Sequence, residues 1–280
     1  MVALPKSLGE EIPKNIFLYW DEGIEFAPNV VRICIESWKS KNPGWNVISL
    51  SNKNLTQWVS WDELLPQVAM PIQKRSNLLR LALLLRHGGV WADSTLLCLK
   101  PLDLWLPMTI PGGFACPRKA NPDRLFGTYF IAAHPNSEFL TKWRKLYLSY
   151  LTSGAKPLAS RHQSNWWTRF WLWLLRSNKY FKLIFTWRWV GRSIGYPYFI
   201  FNYFARRTMM GSPRMRCLLK SMPVVPAADS LARRFKGGYS TPEEFAEALN
   251  LHDNAVVKLS WKYGENLEFW DSFHSLVRKL

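Results

Sequence analysis

One run of nineteen residues constrains this chain more than any other: Asn77-Leu78-Leu79-Arg80-Leu81-Ala82-Leu83-Leu84-Leu85-Arg86-His87-Gly88-Gly89-Val90-Trp91-Ala92-Asp93-Ser94-Thr95. From Leu78 to Leu85 every position but Arg80 is apolar. The helix that this pattern predicts is hydrophobic nearly all round and belongs inside the protein. An arginine in such a helix needs a partner, because a charge buried alone is expensive. Gly88-Gly89 ends the helix, the first glycine suiting a left-handed C-terminal cap, and Val90-Trp91-Ala92 reads as a short buried strand. Asp93 then falls at the carboxyl end of that strand, with a hydroxyl two residues on in Thr95. Open α/β sheets collect ligands at the carboxyl ends of their strands. Asp93 therefore has two readings: a carboxylate placed to meet a metal or a sugar, or the structural ion-pair partner of Arg80.

Charge is the second constraint, through its distribution. The chain has 37 basic and 20 acidic residues, a formal net charge of +17. Between Phe139 and Ala228 there is no aspartate or glutamate, but there are 16 lysines and arginines; the other 21 basic residues nearly match the acidic ones. Such a block predicts a polyanionic partner, either nucleic acid or an anionic membrane. The run Trp166-Trp167-Thr168-Arg169-Phe170-Trp171-Leu172-Trp173-Leu174-Leu175-Arg176, continued by Tyr180 to Phe185 and Trp187-Arg188-Trp189, interleaves tryptophan with cations. At helical spacing Arg169, Arg176 and Lys179 fall opposite Trp167, Phe170, Trp171, Leu174 and Phe181. A helix lying in a membrane interface has this pattern, and Trp167, Arg169, Trp171, Arg176, Lys179 and Lys182 are the expected membrane-facing residues. Each basic residue near an anionic surface adds roughly 1 kcal/mol. The competing reading packs the aromatic arc on the rest of the protein. No nucleic acid is expected, since a nucleic-acid face more often sets its aromatics among glycine-bearing loops and strands.

No segment reads as a membrane span: the uncharged stretch Ser193–Ala205 has 13 residues and contains Pro197, against the roughly 20 that a spanning helix needs. Met1 to Ser7 lacks the apolar core of a secretory signal. Cys34, Cys98, Cys116 and Cys217 show no metal-like spacing and nothing calls for disulfides. The expected location is cytoplasmic, peripheral on the inner face of a membrane.

Ser76-Asn77-Leu78-Leu79-Arg80, followed by Gly89-Val90-Trp91-Ala92-Asp93-Ser94-Thr95, resembles the bacterial capsular polysaccharide synthesis glycosyltransferases, which are related to the DXD-motif sugar transferases of the family 32 type. Other blocks fall in that family's order: Ile12 to Trp20, Cys34 to Trp38, Asn42 to Trp45, Tyr129 to Ala133, Tyr198 to Phe204 and Val257 to Lys262. The resemblance spans most of the chain. It implies an α/β, glycosyltransferase A-type (Rossmann-like) fold that binds a nucleotide-sugar, a uridine diphosphate sugar by analogy, and transfers its sugar to a growing surface polysaccharide or lipid-linked glycan.

On this resemblance Trp20 is the aromatic on which the base stacks, a contact worth about 1–3 kcal/mol. Arg80 would hold a sugar hydroxyl or a diphosphate oxygen with its planar fork. Asp93, with Asn77 and Thr95 nearby, would hold the donor sugar or a divalent cation, manganese or magnesium, that bridges the diphosphate. Lys258, Ser260, Trp261 and Lys262 resemble a loop closing over the diphosphate, where lysines could stabilise the leaving group without a metal. Asp93-Ser94-Thr95 has one carboxylate where many relatives have two, so any metal dependence is expected to need the nucleotide. Asp123, Glu138 and Asp229 are the remaining acids near the later blocks, and their spacing singles out no catalytic base or nucleophile. The missing aspartate also motivates a rival class, a non-catalytic membrane- or polyanion-binding protein on a decayed transferase fold.

At 280 residues the chain suits one α/β domain. The expected parts of that domain are a nucleotide-sugar-binding half at 10–137, a basic aromatic helical module at 138–220, and a segment at 221–280 that returns to the site. Expected elements are strand Ile16–Trp20, helix Asn29–Ser40, strand Asn46–Leu50, helix Ile72–Arg86 and strand Val90–Asp93. A loop-rich acceptor side is expected around Pro101, Pro107, Pro111 and Gly112-Gly113. Ser240-Thr241-Pro242 is a good helix start, and a strand Ala255–Leu259 would bring Lys258 and Lys262 back.

Overall fold

The computed structural model describes residues 11–65, 67–118, 125–157, 181–228, 241–250 and 254–259, with residues 269, 272, 273 and 275. In chain order the elements are β1 (Asn15–Tyr19), α1 (Asn29–Lys41), β2 (Asn46–Leu50), α2 (Ile72–His87), β3 (Gly89–Ala92), β4 (Leu96–Cys98), β5 (Phe114–Ala115), β6 (Phe130–Ala133), α3 (Glu138–Leu151), α4 (Arg188–Ser193), α5 (Ile200–Met210), α6 (Pro213–Lys220), β7 (Ala227–Ala228), α7 (Pro242–Asn250) and β8 (Val256–Lys258). A five-stranded mixed sheet has the order β2-β1-β3-β6-β5, and a smaller sheet has the order β4-β8-β7.

The first half follows from local pattern. The apolar run Ile16 to Tyr19 is buried throughout, and β1 pairs in parallel with both β2 and β3. A parallel pair needs a crossover, which α1 supplies. That helix buries Val30, Val31, Ile33, Cys34, Ile35, Ser37 and Trp38. Helix α2 is buried without interruption from Asn77 to Leu84, as a stretch apolar at every position but Asn77 and Arg80 requires. The five elements predicted between Ile16 and Asp93 form, and β2 has its predicted bounds. Helix α2 runs one residue further than expected, to His87. Strand β3 begins one residue earlier and ends at Ala92, so Asp93 lies just beyond it; Trp20 likewise lies just past β1. Gly88 has positive φ but an extended ψ, φ 63 and ψ −168, so it turns the chain directly into the strand instead of forming a left-handed cap. Gly89, with φ +94, sits where a Cβ would lie 2.5 Å from the Asn15 carbonyl oxygen, so only glycine fits this close approach of α2's exit to β1.

The second half is held by aromatic packing between α3 and α5. Trp143 stacks on Phe201 with ring centroids 4.2 Å apart, and its indole N–H donates to the Phe201 carbonyl at 3.1 Å. Such ring pairs contribute about 0.5–1.5 kcal/mol beyond their buried area. Strand β8 pairs antiparallel with β4, with Leu96 opposite Lys258, so the late segment returns beside the Asp93 loop as expected. The helix after Thr241 also forms, the Thr241 hydroxyl accepting the Glu244 N–H at 3.2 Å. Cys34, Cys98 and Cys116 are buried and free, and Cys217 is exposed and free. Among the described residues no helix is long and apolar enough to cross a membrane. The expected interfacial helix with Trp167, Arg169, Trp171, Arg176 and Lys179 lies outside the described residues, as does the Lys182 side chain.

Candidate functional site

A cavity of about 620 Å³ opens at the carboxyl ends of β1 and β3. Its walls come from the end of β1 with the turn after it (Tyr19, Trp20, Asp21, Glu22), Phe26 and Pro28 before α1, α2 from its first turn to Arg80, Trp91 with the Asp93 loop, Phe126, Thr128 and Tyr129 before β6, and the start of α5 with the residues before it. Lys258 reaches in from β8. Trp20, Asn77, Arg80, Asp93, Thr95 and Lys258 are thus brought together around one space, though they are scattered along the sequence.

Asp93 is the hub. One carboxylate oxygen accepts from Lys258 Nζ at 2.9 Å; the other accepts from the Trp91 indole N–H at 2.9 Å and lies 3.3 Å from Arg80 Nη2. The Asp93 backbone N–H donates to the Tyr129 carbonyl at 2.8 Å. Burial pushes the carboxyl up, but the charges of Lys258 and Arg80 and the hydrogen bonds from Lys258 and Trp91 outweigh it, leaving a pKa of about 2. Asp93 is therefore a fixed anion at neutral pH. Lys258 also donates to Thr95 Oγ1 at 2.6 Å, so Thr95 positions the ammonium.

The two readings of Arg80 and Asp93 prove compatible: they form an ion pair and both line the cavity. The Arg80 side chain is only 7% exposed. Its guanidinium sits 5.1 Å from the centroid of the Trp91 ring and 5.7 Å from that of Phe201, and it donates to the Thr128 carbonyl and to the Ser76 carbonyl at 3.4 Å. Burial lowers its pKa, opposed by Asp93, and arginine stays charged regardless.

Sequence reasoning missed Lys74. It is 4% exposed, lines the cavity from the first turn of α2, donates to the Tyr198 carbonyl, and lies 4.8 Å from the Tyr198 ring centroid and 5.7 Å from that of Tyr196. Burial lowers its pKa to about 8, and among the described residues no acid pairs with it. The α2 pattern turns apolar only at Leu78, so Lys74 reads as solvated; burial comes from the Tyr196–Phe199 segment, which no local signal connects to it. Asn202, 7% exposed, lines the same cavity from α5 with its side-chain oxygen unpartnered, and the Trp20 indole N–H is unpartnered too.

Other expectations resolve differently. Pro101, Pro107, Pro111 and Gly112-Gly113 do not line the cavity, whereas Tyr198, Phe199, Phe201 and Asn202 do. Glu138 is held by Arg214 at 2.7 Å and does not line the cavity. Asp123, Asp229, Ser260, Trp261 and Lys262 lie outside the described residues. Asp93 offers a single carboxylate whose oxygens already meet two cations, and among the described residues no three His, Cys, Asp or Glu side chains come together. This donor set does not suit a divalent cation held by the protein alone.

The fold and site define a mixed α/β protein whose cavity, at the carboxyl ends of parallel strands, is lined by both cations (Lys74, Arg80, Lys258) and acids (Asp21, Glu22, Asp93). Residues 3–159 match the model of the capsular polysaccharide synthesis protein family, and the chain belongs to that family. A glycosyltransferase of Aspergillus fumigatus, afumC, is 26% identical over 181 residues, covering 56% of this chain and 45% of the relative. The chain thus spans less than half the length of that curated relative. Among solved structures the PaToxG glycosyltransferase is similar at 15% identity and a TM-score of 0.42, covering 96% of this chain and 87% of that one.

Proposed function

We propose that the protein is an A-type glycosyltransferase that moves a sugar from a nucleotide-sugar, a uridine diphosphate sugar, to a growing surface polysaccharide or lipid-linked glycan at the inner face of a membrane. The observation that carries this reading is Arg80, Lys258 and Lys74 facing one cavity with Asp93 as the only acid that any of them contacts among the described residues. Three cations with one contacting acid between them suit a diphosphate, and Asp21 and Glu22, which also line the cavity, pair with none of the three among the described residues. Trp20 would support the base. In the transfer the bond between the sugar's anomeric carbon and the diphosphate oxygen breaks, an acceptor hydroxyl bonds to that carbon and loses its proton, and the nucleotide departs with the electron pair. Arg80 and Lys258 would offset the charge that grows on it, with Asp93 and Thr95 holding Lys258 in place. Ser260, Trp261 and Lys262 come two to four residues after the end of β8 in the sequence and would close over the diphosphate. A manganese or magnesium ion would arrive on the diphosphate, not on the protein alone.

Membrane docking is part of the same proposal. Among the described residues Trp187 and Trp189 are 50% and 58% exposed, next in sequence to Arg188 and near Arg192, a combination that suits an anionic interface.

The test is a thermal-shift panel of uridine, guanosine and cytidine nucleotide-sugars, each with and without manganese. A ligand at 100 times its Kd stabilises the folded state by about 2.7 kcal/mol. Stabilisation by the uridine series supports the donor assignment, and its manganese dependence reports a nucleotide-borne ion. Silence from every donor refutes the transferase reading in favour of the non-catalytic membrane- or polyanion-binding protein.

A further inference from the structure

Lys74 has no part in the Asp93 cluster, and its environment is unusual for a lysine. It is nine-tenths buried, yet among the described residues its one hydrogen bond is to a carbonyl, that of Tyr198, and it lies over the rings of Tyr196 and Tyr198. An ammonium has three N–H donors, so two remain. Carbonyl and ring faces orient a cation without cancelling its charge.

Lys74 also lies in the first turn of a 16-residue helix whose N-cap, Pro71, gives no side-chain cap and whose first turn contains no acid. The amino end of α2 therefore adds positive potential where Lys74 already sits. Ile72, Gln73 and Lys74 all line the cavity. Lys74 precedes Arg80 by six residues, roughly 9 Å along the helix axis, so it forms a separate cationic point in the same wall. Asn202, which lines the same cavity from α5 with its side-chain oxygen unpartnered, suits a hydroxyl of a ligand bound there.

We propose that Lys74 and the amino end of α2 form a phosphate-binding subsite, distinct from the Arg80–Asp93–Lys258 cluster. The phosphate belongs either to the nucleotide-sugar donor or to a phosphate-bearing acceptor. The subsite itself stands on the structure, and only the naming of these two sources rests on the transferase reading.

The experiment is titration calorimetry on wild type, Lys74→Met and Lys74→Arg, with inorganic pyrophosphate, uridine and uridine diphosphate as probes. Methionine keeps the bulk and apolar stem without the charge, and arginine keeps the charge. A charge-assisted contact is worth roughly 10- to 100-fold in affinity. Wild type is expected to bind pyrophosphate, Lys74→Met to lose at least about tenfold, and Lys74→Arg to recover most of that. If the phosphate is the donor's, Lys74→Met also weakens uridine diphosphate while leaving uridine unchanged. If it is the acceptor's, uridine diphosphate binding is unchanged, and pyrophosphate still binds the nucleotide-saturated wild type but not nucleotide-saturated Lys74→Met. Equal pyrophosphate binding by Lys74→Met and wild type, or none by wild type, overturns the subsite. Failure of the transferase reading looks different: pyrophosphate binds through Lys74 while neither uridine nor its diphosphate adds selectivity.

Discussion

Replacing Asp93 with asparagine tests whether this carboxylate holds the site's cations. The variant keeps the size of the side chain and an oxygen for the Trp91 indole, but it removes the charge that faces Arg80 and Lys258. The carboxyl pKa falls from 3.8 to about 2 on folding, which corresponds to about 2 kcal/mol of stability at neutral pH. Breaking a fully buried pair costs about 3–5 kcal/mol. Asp93 stays below that range because its side chain is 25% exposed, so water recovers part of the loss. For a chain of this length about 2 kcal/mol lowers Tm by roughly 5 °C. The carboxylate contribution is complete above the unfolded value of 3.8 and is lost as pH falls toward about 2, because the unfolded chain takes up its proton first. Urea unfolding of wild type and Asp93→Asn at pH 7, 5 and 3 should therefore give a gap that is constant between pH 7 and 5 and narrower at pH 3. An unchanged midpoint at pH 7, or a gap that widens on acidification, would refute the argument.

Further outcomes follow from other residues. Lys74→Met should stabilise the ligand-free protein by about 3 kcal/mol at pH 7, because a lysine lowered from 10.5 to about 8 carries that cost of charge burial. For the same reason wild-type stability should gain on Lys74→Met as pH rises from 8 to 10.5, where the unfolded lysine still binds its proton and the folded one does not; urea titrations at both pH values check it. Gly89→Ala should cost about 2–3 kcal/mol by thermal unfolding, since its φ of +94 and the Asn15 carbonyl oxygen leave no room for a methyl group. Replacing both Trp187 and Trp189 with serine should reduce sedimentation with anionic liposomes at low salt by several-fold while leaving Tm within about 1 °C, as both rings are half exposed. Equal sedimentation would remove these residues from any membrane face.

Local signals carried much of this protein. Eight apolar-rich positions in sequence could only be a buried helix, two glycines had to turn the chain, and an aspartate one residue beyond a strand had to lie at the sheet's carboxyl edge; all three need only neighbours within a few residues. The site's charge balance was decided elsewhere. Lys258 meets Asp93 across 165 residues, and Lys74 is buried by a segment 124 residues away. Sequence order sets backbone periodicity because helix and strand hydrogen bonds are short-range. A side chain's desolvation and its counter-charge depend instead on which distant elements pack against it, and here only the pairing of β8 with β4 and the docking of the α5 approach onto α2 supplied them.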